Sequence, residues 1–473
     1  MARGLLGRAG IYLVGNLSGK VLQSLLLPVY AFAVSSESLG SYDFALTLAN
    51  IVAVVVFAAV WESVLRFGLG EGAGRDQNAI LATAAKFALL VTLAAAVVIG
   101  GLWLAMPDYR DYLVWVGAMG VSYGLALVWQ YSARALRLTN AYVVSGVLSA
   151  AVAFLMTICL VVWVRLGVDG LVASYVASQL AIVLVLERRV GLVSMMIGRS
   201  MDWMLLRRLL NFSVPLILNL VSMFLLVGFG RILITLSLGA EANGQYAFAL
   251  KITALVSALG TVFSLASIED AVARVGSVDV GRYMESIVNS LWLAVLGAGG
   301  GCLVGVKLLF PLIADTEYGE GFRLVPPLLL YACLHIMATN LGNVFQVADR
   351  TRFAASTTIG GLVCGALSSI VLVRPLGAFG VAIGLALGMM VVVVLRWLVG
   401  VRLLEFRPRV GRPLVLALVF VLLSAVLIAE PVGDGWPNLI ILVVGGLGSG
   451  LVLLSGLRGL QAAGGSGGAV PAS

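Results

Sequence analysis

Few residues in this chain can do chemistry, and most of them sit inside apolar runs. Asn16, Lys20 and Gln23 stand at i, i+4 and i+7 in the first run, which puts them in one helical sector. An ammonium flanked by two amides suits an anionic, hydroxyl-rich ligand, because the charge attracts and the amides hydrogen-bond. Lys251 lies in a later run, and His335, Thr339, Asn343 and Gln346 share another helical face. Two acid–base pairs have matching spacing. Glu62 precedes Arg66 by four residues and Asp270 precedes Arg274 by four, which allows an intrahelical ion pair with the acid N-terminal. These patterns read as binding and gating. Hydrolytic or redox chemistry finds little to work with: His335 is the one histidine and cannot build a histidine metal cluster alone. Cys159, Cys302, Cys333 and Cys364 all fall in apolar runs and read as small core residues rather than disulfides or metal ligands. Asp315, Glu317 and Glu320 have no metal-ligand spacing. No catalytic residue, metal or cofactor is expected.

The elements that must carry these residues are membrane helices. Hydrophobic residues make up 61% of the chain, charged residues 11%, and the mean hydropathy is +1.09. A soluble domain carries about a quarter charged residues, so the solvent for most of this chain is lipid. The net charge of +8 does not imply a nucleic-acid partner, because the arginines cluster in short segments between apolar runs. Apolar spans fall at 10–33, 44–65, 80–106, 112–130, 141–164, 170–186, 209–229, 245–267, 286–313, 325–347, 354–373, 377–399, 413–429 and 438–457. Most are near the roughly 20 residues a spanning helix needs; 80–106 and 286–313 overrun it and are expected to tilt or to extend past the lipid. The runs are continuous rather than alternating, which excludes a β-barrel. Lys20 lies about ten residues into its span, roughly 15 Å deep, too far to snorkel easily. With the N-terminus in the cytoplasm, twenty-one arginines fall on that side; Arg110, Arg165, Arg231, Arg323 and Arg374 fall on the other. The positive-inside rule then predicts both termini in the cytoplasm.

The chain also repeats. Gly40-Ser41-Tyr42-Asp43-Phe44-Ala45-Leu46 matches Gly244-Gln245-Tyr246-Ala247-Phe248-Ala249-Leu250, and Leu166-Gly167-Val168-Asp169-Gly170 matches Leu376-Gly377-Ala378-Phe379-Gly380. The offsets, 204 and 210, are nearly equal, which supports duplication. Six spans separate the equivalents, so the halves share one orientation. The expected architecture is all-α: a six-helix bundle in 1–186, a cytoplasmic interfacial linker in 187–208, and a second bundle in 209–399. Two additional helices follow in 400–460, and then a disordered tail, 461–473. Two facing bundles suit alternating access.

The ordered residues resemble the polysaccharide and O-antigen (Wzx-type) flippases of the multidrug/oligosaccharidyl-lipid/polysaccharide (MOP) exporter superfamily. The matching features are Gly15-Asn16, Lys20, Leu25-Leu26-Leu27-Pro28, Gly40-Ser41-Tyr42, Val64-Leu65-Arg66-Phe67, Pro215, Arg231-Ile232-Leu233 and Lys251-Ile252. Two departures stand out: Gly230 occupies a position before Arg231 that is often acidic in the family, and spans 1 and 7 carry no acid. The resemblance implies a transporter of the bacterial inner membrane. Its substrate would be a polyprenyl-pyrophosphate-linked oligosaccharide, and its partners the lipid bilayer, a polysaccharide polymerase and a chain-length regulator. Lys20, Asn16, Gln23, Lys251, His335 and Asn343 would line its cavity, and Glu62, Arg66, Asp270 and Arg274 its cytoplasmic gate. Three other readings stay open: a lipid II or cation-coupled drug exporter of the same superfamily, a membrane glycan polymerase or glycosyltransferase, and a non-transporting scaffold. The enzyme reading needs a structured extramembrane loop, and the longest outer segment runs only from Ala314 to Leu324.

Overall fold

The computed structural model describes residues 25–68, 73–273, 280–347, 352–404, 411–429 and 436–465. Among them helix is nearly continuous and no strand occurs. The helices are α1 (Leu27–Ala33), α2 (Ser36–Val56), α3 (Val60–Gly68), α4 (Ala73–Ala105), α5 (Arg110–Ala135), α6 (Thr139–Thr157), α7 (Gly167–Val190), α8 (Leu192–Met196), α9 (Trp203–Leu238), α10 (Ala240–Ala273), α11 (Val280–Ile313), α12 (Val325–Val347), α13 (Arg352–Leu404), α14 (Gly411–Ala429) and α15 (Trp436–Gly465). They overlie every expected span from the second onward, and most of the first, 10–33, lies outside the described residues. Nine described segments are long and apolar enough to cross a bilayer. One of them, Ser356–Arg402, has 47 residues, far more than a single crossing of about 30 Å requires. It folds back at Gly377, whose φ of 60° and ψ of −142° interrupt the helix.

Two expected boundaries move for a local reason. Hydropathy starts the second span at residue 44, yet α2 begins at Ser36. The stretch from Ser35 to Asp43 looks like a loop by hydropathy, but the Ser35 hydroxyl accepts from the Ser38 N–H at 3.2 Å and caps the helix. The same span then breaks. Ala58 and Ala59 have φ of 49° and 48°, a region rare for residues with a Cβ. Phe57, fully buried beside the break, lies against Gly124 of α5, where a Cβ would come 2.5 Å from its ring.

Packing divides the chain into two compact units, Met1–Gly244 and Gln245–Ser473. In the first, α2 packs on α5, α7 and α9, and α3 on α4, α5 and α9. Its core gathers Phe57, Trp61, Val64, Leu81, Ala85, Trp129, Leu186 and Leu209, while Leu93, Val97 and Leu104 of α4 remain exposed, as a lipid-facing surface requires. These units divide at Gly244, and α9, which follows the expected linker 187–208, packs with the first unit. Within 187–208, α8 rests on α4 with Leu192 fully buried, and the Glu187 carboxylate accepts from Trp129 Nε1 at 2.8 Å and Val193 N–H at 2.9 Å.

In the second unit α11 packs along α15 and also touches α12 and α14. The α11–α15 seam is made by small residues. A Cβ on Gly456 would fall 2.8 Å from the Ser290 carbonyl oxygen, and one on Gly297 would fall 2.8 Å from Leu453 Cα. Without a hydrophobic driving force in lipid, such close backbone approach supplies the contact energy. The α13 hairpin closes likewise: a Cβ on Gly384 would lie 2.8 Å from Ser369 Cα, and one on Gly388 2.7 Å from Gly365 Cα.

The repeat recurs in the turns. Gly167 (φ 57°) and Gly377 (φ 60°), matched in the sequence repeat, both take a positive φ. Each is followed three residues later by a glycine in close contact, Gly170 with Val161 and Gly380 with the Leu372 carbonyl.

Candidate functional site

Of the residues expected to line a cavity, Asn16, Lys20 and Gln23 lie outside the described residues, as do Arg274 and the side chains of Asp270 and Asn343. Lys251 is half-buried on α10. His335 is exposed on α12, its ring 6.1 Å from that of Tyr331, and Thr339, one turn on, is exposed as well.

Glu62 and Arg66 do not pair in this structure. Glu62 accepts from the Tyr131 hydroxyl at 3.1 Å, and Arg66 lies over the Phe212 ring at 5.6 Å. Arg208 lies over Phe67 at 4.9 Å, and Phe67 meets Phe212 edge-on at 5.5 Å. Two arginines and two phenylalanines thus clasp the end of α3 to the start of α9. The pattern recurs in the first unit. Two further acids are met by aromatic donors, Asp169 by Trp115 Nε1 at 2.7 Å and Glu187 by Trp129. Arginines lie on aromatic faces, as Arg134 does on Tyr131 and Arg110 on Trp103, an arrangement worth more as water is excluded.

Asp43 is met by an arginine instead. Its carboxylate Oδ2 lies 3.0 Å from Arg231 Nε, with side chains 4% and 21% exposed. Arg231 Nη1 also donates to Thr47 Oγ1 at 3.4 Å. The pair joins α2 to α9, seven residues from Ser36 and seven from Leu238, roughly 10 Å from that end of either helix. At the same end α2 meets the start of α10. A Cβ on Gly40 would overlap the Ala240 carbonyl, and one on Gly244 would overlap that of Ser36. These contacts are reciprocal under the 204-residue offset. Asn243 Nδ2 adds a hydrogen bond to the Gly40 carbonyl at 2.8 Å.

Arg396, counted from sequence with the cytoplasmic arginines, is half-buried in α13. Its Nε donates to Thr357 Oγ1 at 3.2 Å, Nη2 to Thr358 Oγ1 at 2.8 Å and to the Ala354 carbonyl at 3.3 Å, and Nη1 to the Ala338 carbonyl. Neither Arg396 nor the Asp43–Arg231 pair was identified as a site from sequence. The one available signal was an acid inside the Gly40–Leu46 repeat, where its counterpart is Ala247.

No family model and no curated protein sequence matches the chain. Among solved structures it is similar to an inward-facing multidrug-resistance MATE-family transporter of the MOP superfamily (TM-score 0.63, 16% identity, 84% of this chain and 94% of that one). It is also similar to the lipid II flippase MurJ in an inward closed conformation (TM-score 0.65, 12% identity, 94% and 98%). An outward-facing MATE-family transporter aligns with a TM-score of 0.54 at 16% identity, over 84% of this chain and 94% of that one. Identities this low speak to fold. The chain is therefore a multi-pass helical membrane protein with the fold of MOP-superfamily transporters.

Proposed function

We propose that this chain is a flippase for polyprenyl-pyrophosphate-linked oligosaccharides, moving them from the cytoplasmic to the outer leaflet of a bacterial inner membrane. The observation that carries the reading is the extent of the structural likeness. The flippase neighbour matches 94% of this chain, whereas the drug-exporter neighbours match 84% and leave about a sixth of it unmatched.

The physical need is clear. A pyrophosphate and its glycan cannot cross about 30 Å of hydrocarbon unaided, while the polyprenyl tail can stay in lipid. Lys20 and Lys251 supply positive charge to the pyrophosphate, and Asn16, Gln23, His335 and Asn343 hydrogen-bond the sugars. Both termini lie in the cytoplasm, and two bundles, 1–186 and 209–399, alternate access. Glu62, Arg66, Asp270 and Arg274 act at the cytoplasmic mouth, where the ion pairs form in one state and give way to aromatic partners in another. Polymerase and chain-length regulator act on the product.

Deleting the chain in its own host should leave lipid-linked oligosaccharide on the cytoplasmic leaflet, and re-expression should clear it. Normal surface glycan after deletion, with no cytoplasmic-side accumulation, would refute the reading.

A further inference from the structure

We propose that Arg231 is a phosphoryl-oxyanion site held shut by Asp43, which occupies it until the substrate's phosphate takes its place. This rests on the flippase reading and names where the anionic group is received. Four observations support it. First, Asp43 Oδ2 and Arg231 Nε are only 3.0 Å apart, yet both atoms are buried and neither makes a hydrogen bond. The N–H is not aimed at the oxygen, so the contact is Coulombic. Second, a guanidinium has five N–H donors in a planar fork, and the one hydrogen bond from Arg231 among the described residues is the long one to Thr47. Third, Arg396 shows what a structural guanidinium in this fold looks like: Nε, Nη1 and Nη2 all bond, to four oxygens on two segments. Fourth, the arginine is the reachable partner, 21% exposed against 4% for the aspartate. A fork with empty donors, a full charge and a route to the surface matches the two in-plane oxygens of a phosphate.

Exchange also has a mechanical consequence. Asp43 follows Gly40 by three residues on α2, and Gly40 is in backbone contact with the start of α10. While Asp43 holds Arg231, α2 is tied to α9 next to that contact. When an oxyanion takes the guanidinium, the carboxylate loses its partner. A buried unpaired carboxylate is strongly unfavourable, so α2 must shift to bring Asp43 to water or to a proton. Ligand arrival is thereby linked to loosening of this end of the helices.

The test uses full-length protein in phosphatidylcholine nanodiscs, with polyprenyl pyrophosphate as probe and phosphatidylglycerol and inorganic pyrophosphate as comparison anions. Binding is read by native mass spectrometry and stability by thermal unfolding. Asp43→Asn removes the competitor and should tighten polyprenyl pyrophosphate binding about tenfold. Arg231→Gln should weaken it about tenfold or more, and Arg231→Lys should fall between. The double variant Asp43→Asn/Arg231→Gln leaves no unpaired buried charge, so it should fold even where Arg231→Gln does not, and it should bind as weakly as the single arginine variant. Wild-type-like binding by the double variant would overturn the proposal, as would Asp43→Asn binding no tighter than wild type while melting lower, which marks a purely structural ion pair. Equal, Arg231-dependent retention of phosphatidylglycerol or inorganic pyrophosphate would overturn the assignment to a lipid-linked substrate. Absence of probe binding by wild type and every variant would sink the flippase reading itself.

Discussion

Replacing Arg396 by methionine separates two ways of valuing a buried charge. Adding up its four hydrogen bonds, at about 1.5–3 kcal/mol each for a charged donor, gives roughly 6–12 kcal/mol and forecasts an unfolded protein. The structure argues for far less. The Ala338 and Ala354 carbonyls belong to helices, and the Thr357 and Thr358 hydroxyls donate back to carbonyls of their own helix at 2.7–3.0 Å. Removing the guanidinium therefore orphans no donor, and its own desolvation cost disappears. Methionine fills much of the volume. The expected loss is about 2 kcal/mol, which for a unit of this size is a fall in Tm of roughly 4–8 °C. Arg396→Lys keeps the charge but cannot span the Ala338 carbonyl on α12 and the Thr357–Thr358 hydroxyls on α13 with one ammonium, so it should lose at least as much as methionine. Thermal unfolding of the purified protein in one detergent measures all three. Loss of folded protein in Arg396→Met, or a lysine variant as stable as wild type, would refute the reasoning.

Further consequences follow from other contacts. On α15, Gly448→Ala meets nothing within 4 Å and should gain about 0.5–1 kcal/mol from helix propensity. Gly456→Ala would place a Cβ 2.8 Å from the Ser290 carbonyl and should lose about 1–3 kcal/mol as the α11–α15 seam opens; the two melting temperatures must move in opposite directions. Tyr131→Phe should cost about 1 kcal/mol and free Glu62 to turn to Arg66, making stability newly sensitive to Arg66→Gln; strict additivity in a double-mutant cycle would contradict this. For Lys20, surface glycan measured beside protein abundance should show export abolished in Lys20→Ala, partly kept in Lys20→Arg and lost in Lys20→Gln. Full export by the glutamine variant would show that charge is not needed there.

The helices were legible because a lipid-embedded segment must satisfy its own backbone and so needs an unbroken apolar run. The glycine match Leu166-Gly167 with Leu376-Gly377 was legible for a similar reason: both turns need a positive φ, and glycine adopts it without strain. The Asp43–Arg231 pair was hidden by the same hydropathy that found the spans. It ended one span at 229 and began another at 44, leaving both partners in supposed loops. The true ends are set by the Ser35 cap and by the run of α9 to Leu238. Their separation along the chain offered no local spacing to read. The break at Ala58–Ala59 was equally silent, because alanine in an apolar run signals helix and the packing of Phe57 on Gly124 beside it leaves no local mark in the sequence.

Transport itself is the most direct test. Purified protein should be reconstituted into liposomes bearing a fluorescent polyprenyl-pyrophosphate disaccharide, and the label in the outer leaflet destroyed by an impermeant reductant. A working flippase makes nearly all the label accessible, against about half in protein-free liposomes. Accessibility that stays near half, in liposomes where the same protein moves a cationic drug, would contradict the account and favour an exporter.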